Sequence, residues 1–123
     1  MVDQDPLPFW TRGRVTLLGD AAHPMYPRGS NGAGQAILDA SVLAGLLGAT
    51  DDVPGALAAY DRERRPATAA VVQMNRTNPP DAILREVQER SGDRPFASID
   101  DVMSRAEIEA MLSRYRQVTG NTR

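Results

Sequence analysis

The chain has 123 residues, 41% hydrophobic and 24% charged, which gives room for one domain with a core of its own and not for two. Its 14 basic residues are all arginine and face 16 carboxylates, so the net charge is −2 and the basic excess of a nucleic-acid binder is missing. The lack of cysteine excludes disulfides, thiolate nucleophiles and cysteine-ligated metals.

Residues 1–13 are rich in proline and acid, with Phe9 and Trp10 as the large apolar anchors, and read as an approach segment. Residues 14–18, Arg14-Val15-Thr16-Leu17-Leu18, read as a short buried strand ended by Gly19-Asp20. A loop with Pro24, Pro27, Gly29 and Gly32 follows. Residues 32–47 then form a helix with Asp39 as its single charge, and a helix apolar on nearly all sides belongs inside a protein.

Asp51-Asp52-Val53-Pro54 opens a second helix, acid before the start and proline in the first turn. Pro66 should kink or restart it, because proline lacks the backbone donor and crowds the preceding turn. Asn78-Pro79-Pro80-Asp81 is a break, residues 82–90 a short helix, and Ser91-Gly92-Asp93 its end. Ser104 and Glu107 have the spacing of a capping box and start a last helix that stops near Gly120. The expected division is thus 1–13 as approach, 14–50 as strand, loop and helix, and 51–123 as a helical remainder of the same domain. A single buried strand leaves backbone groups unpaired on both edges, so the missing N-terminal half or another chain is expected to complete the sheet.

The chemistry concentrates in Leu17-Leu18-Gly19-Asp20-Ala21-Ala22-His23 and in Pro27-Arg28-Gly29-Ser30-Asn31-Gly32-Ala33-Gly34-Gln35-Ala36-Ile37-Leu38-Asp39-Ala40. A strand ending in Gly-Asp sets a carboxylate at the sheet edge where α/β folds bind ligands. Asp20 there can accept hydroxyl hydrogen bonds from a sugar-like chain. The glycines let backbone amides approach a flat ligand, and the following helix turns its positive N-terminal end toward it.

These stretches resemble the second FAD fingerprint of class A flavoprotein monooxygenases, the p-hydroxybenzoate and salicylate hydroxylase superfamily. Met25-Tyr26-Pro27, Gln35-Ala36-Ile37-Leu38-Asp39, Tyr60 with Arg64-Arg65-Pro66, and Ile99-Asp100-Asp101-Val102 are most similar to the phenazine-pathway members. The resemblance covers most of the chain from about Arg14 onward. It implies an α/β fold, the C-terminal part of a Rossmann-like FAD-binding domain with one strand and mostly helices here. It implies cofactor contacts from Gly19 and Asp20, the latter to the ribityl chain. Gly32, Ala33 and Gly34 would present amides to the flavin pyrimidine edge, and Tyr26 and Pro27 would face the substrate. Many relatives carry asparagine or serine where Gly34 stands, which removes a side-chain contact and keeps the backbone one.

The implied activity is hydroxylation of a small aromatic substrate with NAD(P)H and O2, and no side chain reads as a catalytic acid or base. The Gly-x-Gly-x-x-Gly turn that holds the ADP half of FAD is absent, so a C-terminal fragment, inactive alone, is expected. A non-catalytic interaction or assembly module derived from that fold is the alternative. No metal, nucleic-acid or membrane partner is expected: no apolar run nears the roughly 18 residues of a span, no leader pattern opens the chain, and a cytoplasmic location follows.

Several residues read as structural: His23 in its loop, Tyr60 and Tyr115 at helical packing positions, and Met103 and Met111 as core filler. Arg62, Arg64 and Arg65, interleaved with Asp61 and Glu63, read as a solvated or salt-bridged helix face.

Overall fold

The computed structural model describes residues 3–27, 31–77 and 81–119. The expected breaks at Gly29, at residues 78–80 and at Gly120 lie outside the described residues. In chain order come strands β1 (Thr11–Arg12) and β2 (Val15–Thr16), a 3-10 turn at Gly19–Ala21, and helices α1 (Asn31–Gly48) and α2 (Val53–Thr77). Helix α3 (Ala82–Ser91), a 3-10 turn at Ile99–Asp101 and helix α4 (Arg105–Thr119) complete it. The described part is mostly helical with one small sheet. No helix among the described residues is long and apolar enough to cross a membrane.

The single buried strand expected at 14–18 is instead one arm of an antiparallel hairpin, with Thr11 opposite Thr16 and Arg12 opposite Val15. Gly13, the first of the two turn residues, takes a φ of 61°, the left-handed value that a tight hairpin demands. The division expected between residues 13 and 14 falls inside this turn. Val15 is exposed, so the strand is not a buried one. Its backbone partners come from within the chain. The Leu17 amide donates to the Trp10 carbonyl at 3.1 Å, and the Trp10 and Thr11 amides donate to Asp61 Oδ2 at 3.0 and 3.2 Å. Burial pushes the Asp61 carboxyl up, but those amides and the Arg65 guanidinium outweigh it and hold its pKa below the ordinary value. Two amides beside the hairpin are thus met by a helix carboxylate.

Helix α2 starts as its sequence requires. Asp52 Oδ1 accepts from the Gly55 amide at 3.1 Å, and a Cβ on Gly55 would stand 2.2 Å from Asp52 Oδ2, so a side chain there would displace the capping carboxylate. The restart expected at Pro66 does not occur: the helix runs on through Pro66 for 25 residues. Pro66 itself is exposed, while Tyr60, Arg64, Thr68, Val71 and Val72 form one continuous buried face across it. Tertiary packing of that face offsets the missing backbone bond.

Two apolar clusters form the core. Trp10, Ala22 and Tyr60 pack with Leu7, Leu17, Val42, Leu43 and Leu46, while Met25, Val71 and Val72 pack with Val118. The Tyr60 hydroxyl donates to the Leu17 carbonyl at 3.2 Å, and burial pushes its pKa up. Met103 is buried as expected, and Met111 is half-buried. The Ser104 capping box is formed, with the Ser104 amide donating to Glu107 Oε2 at 2.9 Å and the Glu107 amide donating back to Oγ at 3.4 Å. Gly92 and Asp93 close α3 in left-handed conformations.

Helix α1 departs from expectation. Its most deeply buried positions are polar, Asn31, Gln35 and Asp39, while Ile37 is 70% exposed and Leu38 and Leu47 also face outward. Within the described residues it is therefore not enclosed on all sides. Its large apolar residues are divided: Val42, Leu43 and Leu46 pack on the first core cluster, while Ile37, Leu38 and Leu47 face outward.

Candidate functional site

Gly19 takes a φ of 60°, and a Cβ there would lie 3.3 Å from Ala36 Cβ. Left-handed backbone and close approach to α1 both call for glycine. The chain consequently turns tightly across the first turns of α1, with the Ala22 and His23 amides both donating to the Gly19 carbonyl at 2.9 Å. This presses Asp20 toward the helix start: a Cβ on Gly32 would stand 3.9 Å from Asp20 Oδ1 and 3.9 Å from Met25 Cγ. Asp20 is exposed at this edge, as are Ala33 and Gly34 in the same first turn of α1, and a Cβ placed on Gly34 would meet open space.

Gly19, Asp20 and Gly32 are thus brought together, and Met25 carries Tyr26 and Pro27 to the same end of α1 with both side chains exposed. The first amides of α1 have no partner within the helix and carry its partial positive charge. A carboxylate that can accept from hydroxyls stands beside amides that can donate to an electron-rich ring edge. The donor set suits the ribityl chain and the pyrimidine edge of a flavin.

Beneath this rim lies a polar cluster that sequence reasoning missed. Asp39, fully buried, accepts from Arg64 Nε at 2.8 Å on Oδ1, while its Oδ2 lies 2.5 Å from His23 Nε2 and 3.3 Å from the Gly19 amide. Arg64 Nη2 also donates to Gln35 Oε1 at 2.6 Å. Burial drives the Asp39 carboxyl up, but the His23 and Arg64 hydrogen bonds and the Gly19 amide together hold it below the ordinary 3.8. One carboxylate therefore ties the Gly19–Asp20 turn, the 23 position and α2 to α1. The arginine cluster, read as a solvated or salt-bridged face, is that at Arg62, which is exposed, and at Arg65, which pairs with Asp61 at 2.7 Å, but Arg64 departs from it by being buried. The available signal was Asp39 itself, a lone charge on an apolar helix, which requires a buried counterion. His23 is buried, not solvated: its ring lies 5.5 Å from that of Trp10, and its Nδ1 has no partner among the described residues.

Residues 5–75 match the family described as FAD binding domain. The phenazine 1,6-dicarboxylic acid hydroxylase of Lysobacter antibioticus is 49% identical over 118 residues, 96% of this chain and 26% of that protein. The 3-hydroxybenzoate 6-hydroxylase 1 of Aquipseudomonas alcaligenes is 51% identical over 62% of this chain and 19% of its own length. The salicylate hydroxylase of Pseudomonas putida is 48% identical over 56% of this chain and 17% of its own. The chain spans about a quarter of the length of the first of these relatives. With its Gly19–Asp20 turn set against a glycine-rich helix start, the chain belongs to the FAD-binding family of aromatic-ring monooxygenases, and its cofactor is FAD.

Proposed function

We propose that this chain is the C-terminal FAD-binding portion of an NAD(P)H- and O2-dependent monooxygenase that hydroxylates an aromatic substrate. The observation that carries the reading is Asp20 beside Gly32: a carboxylate and a set of helix-start amides share one exposed rim. Asp20 accepts from the ribityl hydroxyls, and Gly19 lets the turn come close enough to do so. The amides of Gly32, Ala33 and Gly34 stabilise negative charge at the pyrimidine edge, by roughly 0.3–2 kcal/mol. Tyr26 and Pro27 flank the ring face on which the aromatic substrate docks. When bound, FAD supplies the electron transfer and oxygen activation, and the chain supplies position and electrostatics.

The relatives named as hydroxylases of phenazine dicarboxylate, hydroxybenzoate and salicylate support an aromatic acid as the substrate class. The quarter-length match supports a piece of a longer protein with a Rossmann-like remainder, and the outward apolar face of α1 is the surface that remainder covers. The pyrophosphate-binding turn belongs to that remainder, so the chain alone holds FAD weakly and does not oxidise NAD(P)H.

The test is FAD retention in the holoprotein. Asp20→Ala loses flavin on purification, whereas Arg62→Ala, an exposed change on α2, retains it. Equal flavin content in the two variants refutes the role of Asp20. FAD titration of the isolated chain by fluorescence quenching completes the test, and sub-micromolar binding there refutes the need for a remainder.

A further inference from the structure

Helix α4 lies outside the segment that matches the FAD-binding family, which ends at residue 75. The alignment to the phenazine dicarboxylate hydroxylase covers 96% of the chain and so extends through α3 into α4. An appended helix with no duty toward the cofactor would be expected to pack through apolar side chains alone. Instead α4 reaches the first two turns of α1 through two polar contacts.

Tyr115 and Thr119 lie four residues apart on α4, and Asn31 and Gln35 lie four apart on α1, so the two pairs meet as successive rungs. Asn31 Nδ2 donates to the Tyr115 hydroxyl, and that hydroxyl donates in turn to Asn75 Oδ1 on α2 at 3.0 Å. Asn75 Nδ2 points to Met25 Sδ at 3.6 Å. One turn further, Gln35 Nε2 donates to the Thr119 carbonyl at 2.9 Å. Asn31, Gln35, Asn75, Tyr115 and Thr119 are all buried, so each of these groups depends on its protein partners. Val118 packs beside Met25 in the second apolar cluster.

We propose that α4 is a positioning element of the FAD site and that Tyr115 is its positioning residue. This rests on the reading of Asp20 and Gly32 as cofactor contacts. The Tyr115 hydroxyl fixes Asn31, the first residue of α1, and through Asn75 it fixes Met25. It thereby sets two things against each other: the amides of residues 31–34 and the segment carrying Tyr26 and Pro27. Tyr115 touches neither cofactor nor substrate. Its effect is the register of the helix start, and a misplacement of about 1 Å in such a contact can change a rate about a hundredfold.

A Tyr115→Phe holoprotein keeps the ring and loses the bridge, leaving a buried donor and a buried acceptor unmet. The apoprotein is titrated with FAD, and the bound flavin is followed by visible circular dichroism. The expected result is a dissociation constant raised about tenfold together with an altered visible flavin band. Val87→Ala, a packing loss on α3, is the comparison: it lowers the melting temperature and leaves the affinity and the band at parental values. A parental affinity and band in Tyr115→Phe overturn the proposal, and so does a change no larger than that of Val87→Ala at equal loss of melting temperature. If Tyr115→Phe fails to fold, Asn75→Ala, which removes the acceptor of the same bridge, is measured in its place with the same expected shift. Asp20→Ala separates the two levels. Lost affinity there with a parental Tyr115→Phe overturns the positioning role alone, whereas parental affinity in Asp20→Ala overturns the cofactor contact and this proposal with it.

Discussion

Asp39 Oδ2 lies 2.5 Å from His23 Nε2 in a fully buried pocket of charge, with Arg64 Nε 2.8 Å from the other carboxylate oxygen. The arrangement ties the turn bearing Asp20 to both α1 and α2. Removing the carboxylate strands a buried guanidinium, and breaking a buried ion pair from one side costs about 3–5 kcal/mol. Asp39→Ala is expected to fall in that range by urea unfolding. Arg62→Ala, on the same helix as Arg64 but exposed, is expected to stay within about 0.5 kcal/mol of the parent.

Acid should weaken the fold through the carboxylates held below their ordinary pKa: Asp61, and more tellingly Asp39 and Glu107. The Asp39 pKa is held below 3.8, so its contribution is whole above that value and is lost as pH falls through the lower folded value. Glu107 is pulled from 4.5 down to about 2 by the Ser104 amide, the Arg90 guanidinium at 2.9 Å and the Ser104 hydroxyl. Its contribution is present above pH 4.5 and gone below about 2. Urea midpoints should therefore decline as pH falls from 4.5 to 2, and Glu107→Gln should flatten the upper part of that decline. A parental slope in Glu107→Gln removes the capping carboxylate from the account.

Two glycines offer an internal comparison. Gly13 and Gly19 share a left-handed φ, 61° and 60°, so alanine at either costs about 1–2 kcal/mol in backbone strain. A Cβ at Gly13 meets nothing within 4 Å, whereas one at Gly19 meets Ala36 Cβ at 3.3 Å. Gly19→Ala should accordingly destabilise more than Gly13→Ala, and only the former should lower FAD retention. Equal losses on thermal melting would show that α1 yields to the added methyl group.

The outer face of α1 gives a contrast between piece and whole. Ile37 is 70% exposed, so Ile37→Glu in the isolated chain should shift stability by no more than about 0.5 kcal/mol. In the holoprotein the same charge would be buried without a partner, and the melting temperature should drop by several degrees. An unchanged holoprotein would mean that this face stays in water.

Local rules made the element boundaries legible. Asp52 before Pro54, Ser104 three residues before Glu107 and Gly92 after α3 all mark termini through hydrogen bonds to near neighbours. The contact of Asp20 with the helix start was also readable, because a glycine turn and a glycine-rich helix lie close in sequence. Long-range pairings were not readable. The Trp10 and Thr11 amides meet Asp61 some fifty residues on, so β1 was hidden in a proline-rich stretch with no alternation of its own. That the helix continues through Pro66 was not readable either, because the local penalty is visible in sequence and the packing that offsets it is not. Arg64 looked like its neighbours Arg62 and Arg65, and only the helical phase that turns it toward Asp39 tells them apart.

Trp10 is the one tryptophan in the chain, and its ring stands 5.5 Å from His23 and 5.7 Å from Tyr60. A single indole therefore sits against the imidazole that contacts Asp39, within the cluster that joins the hairpin, α1 and α2. The intrinsic emission of the protein becomes a one-colour gauge of that junction, free of any attached dye. Changes at Asp39 or Arg64 should shift its wavelength and lifetime before the helices themselves melt, while changes confined to α3 should leave it dark to the perturbation.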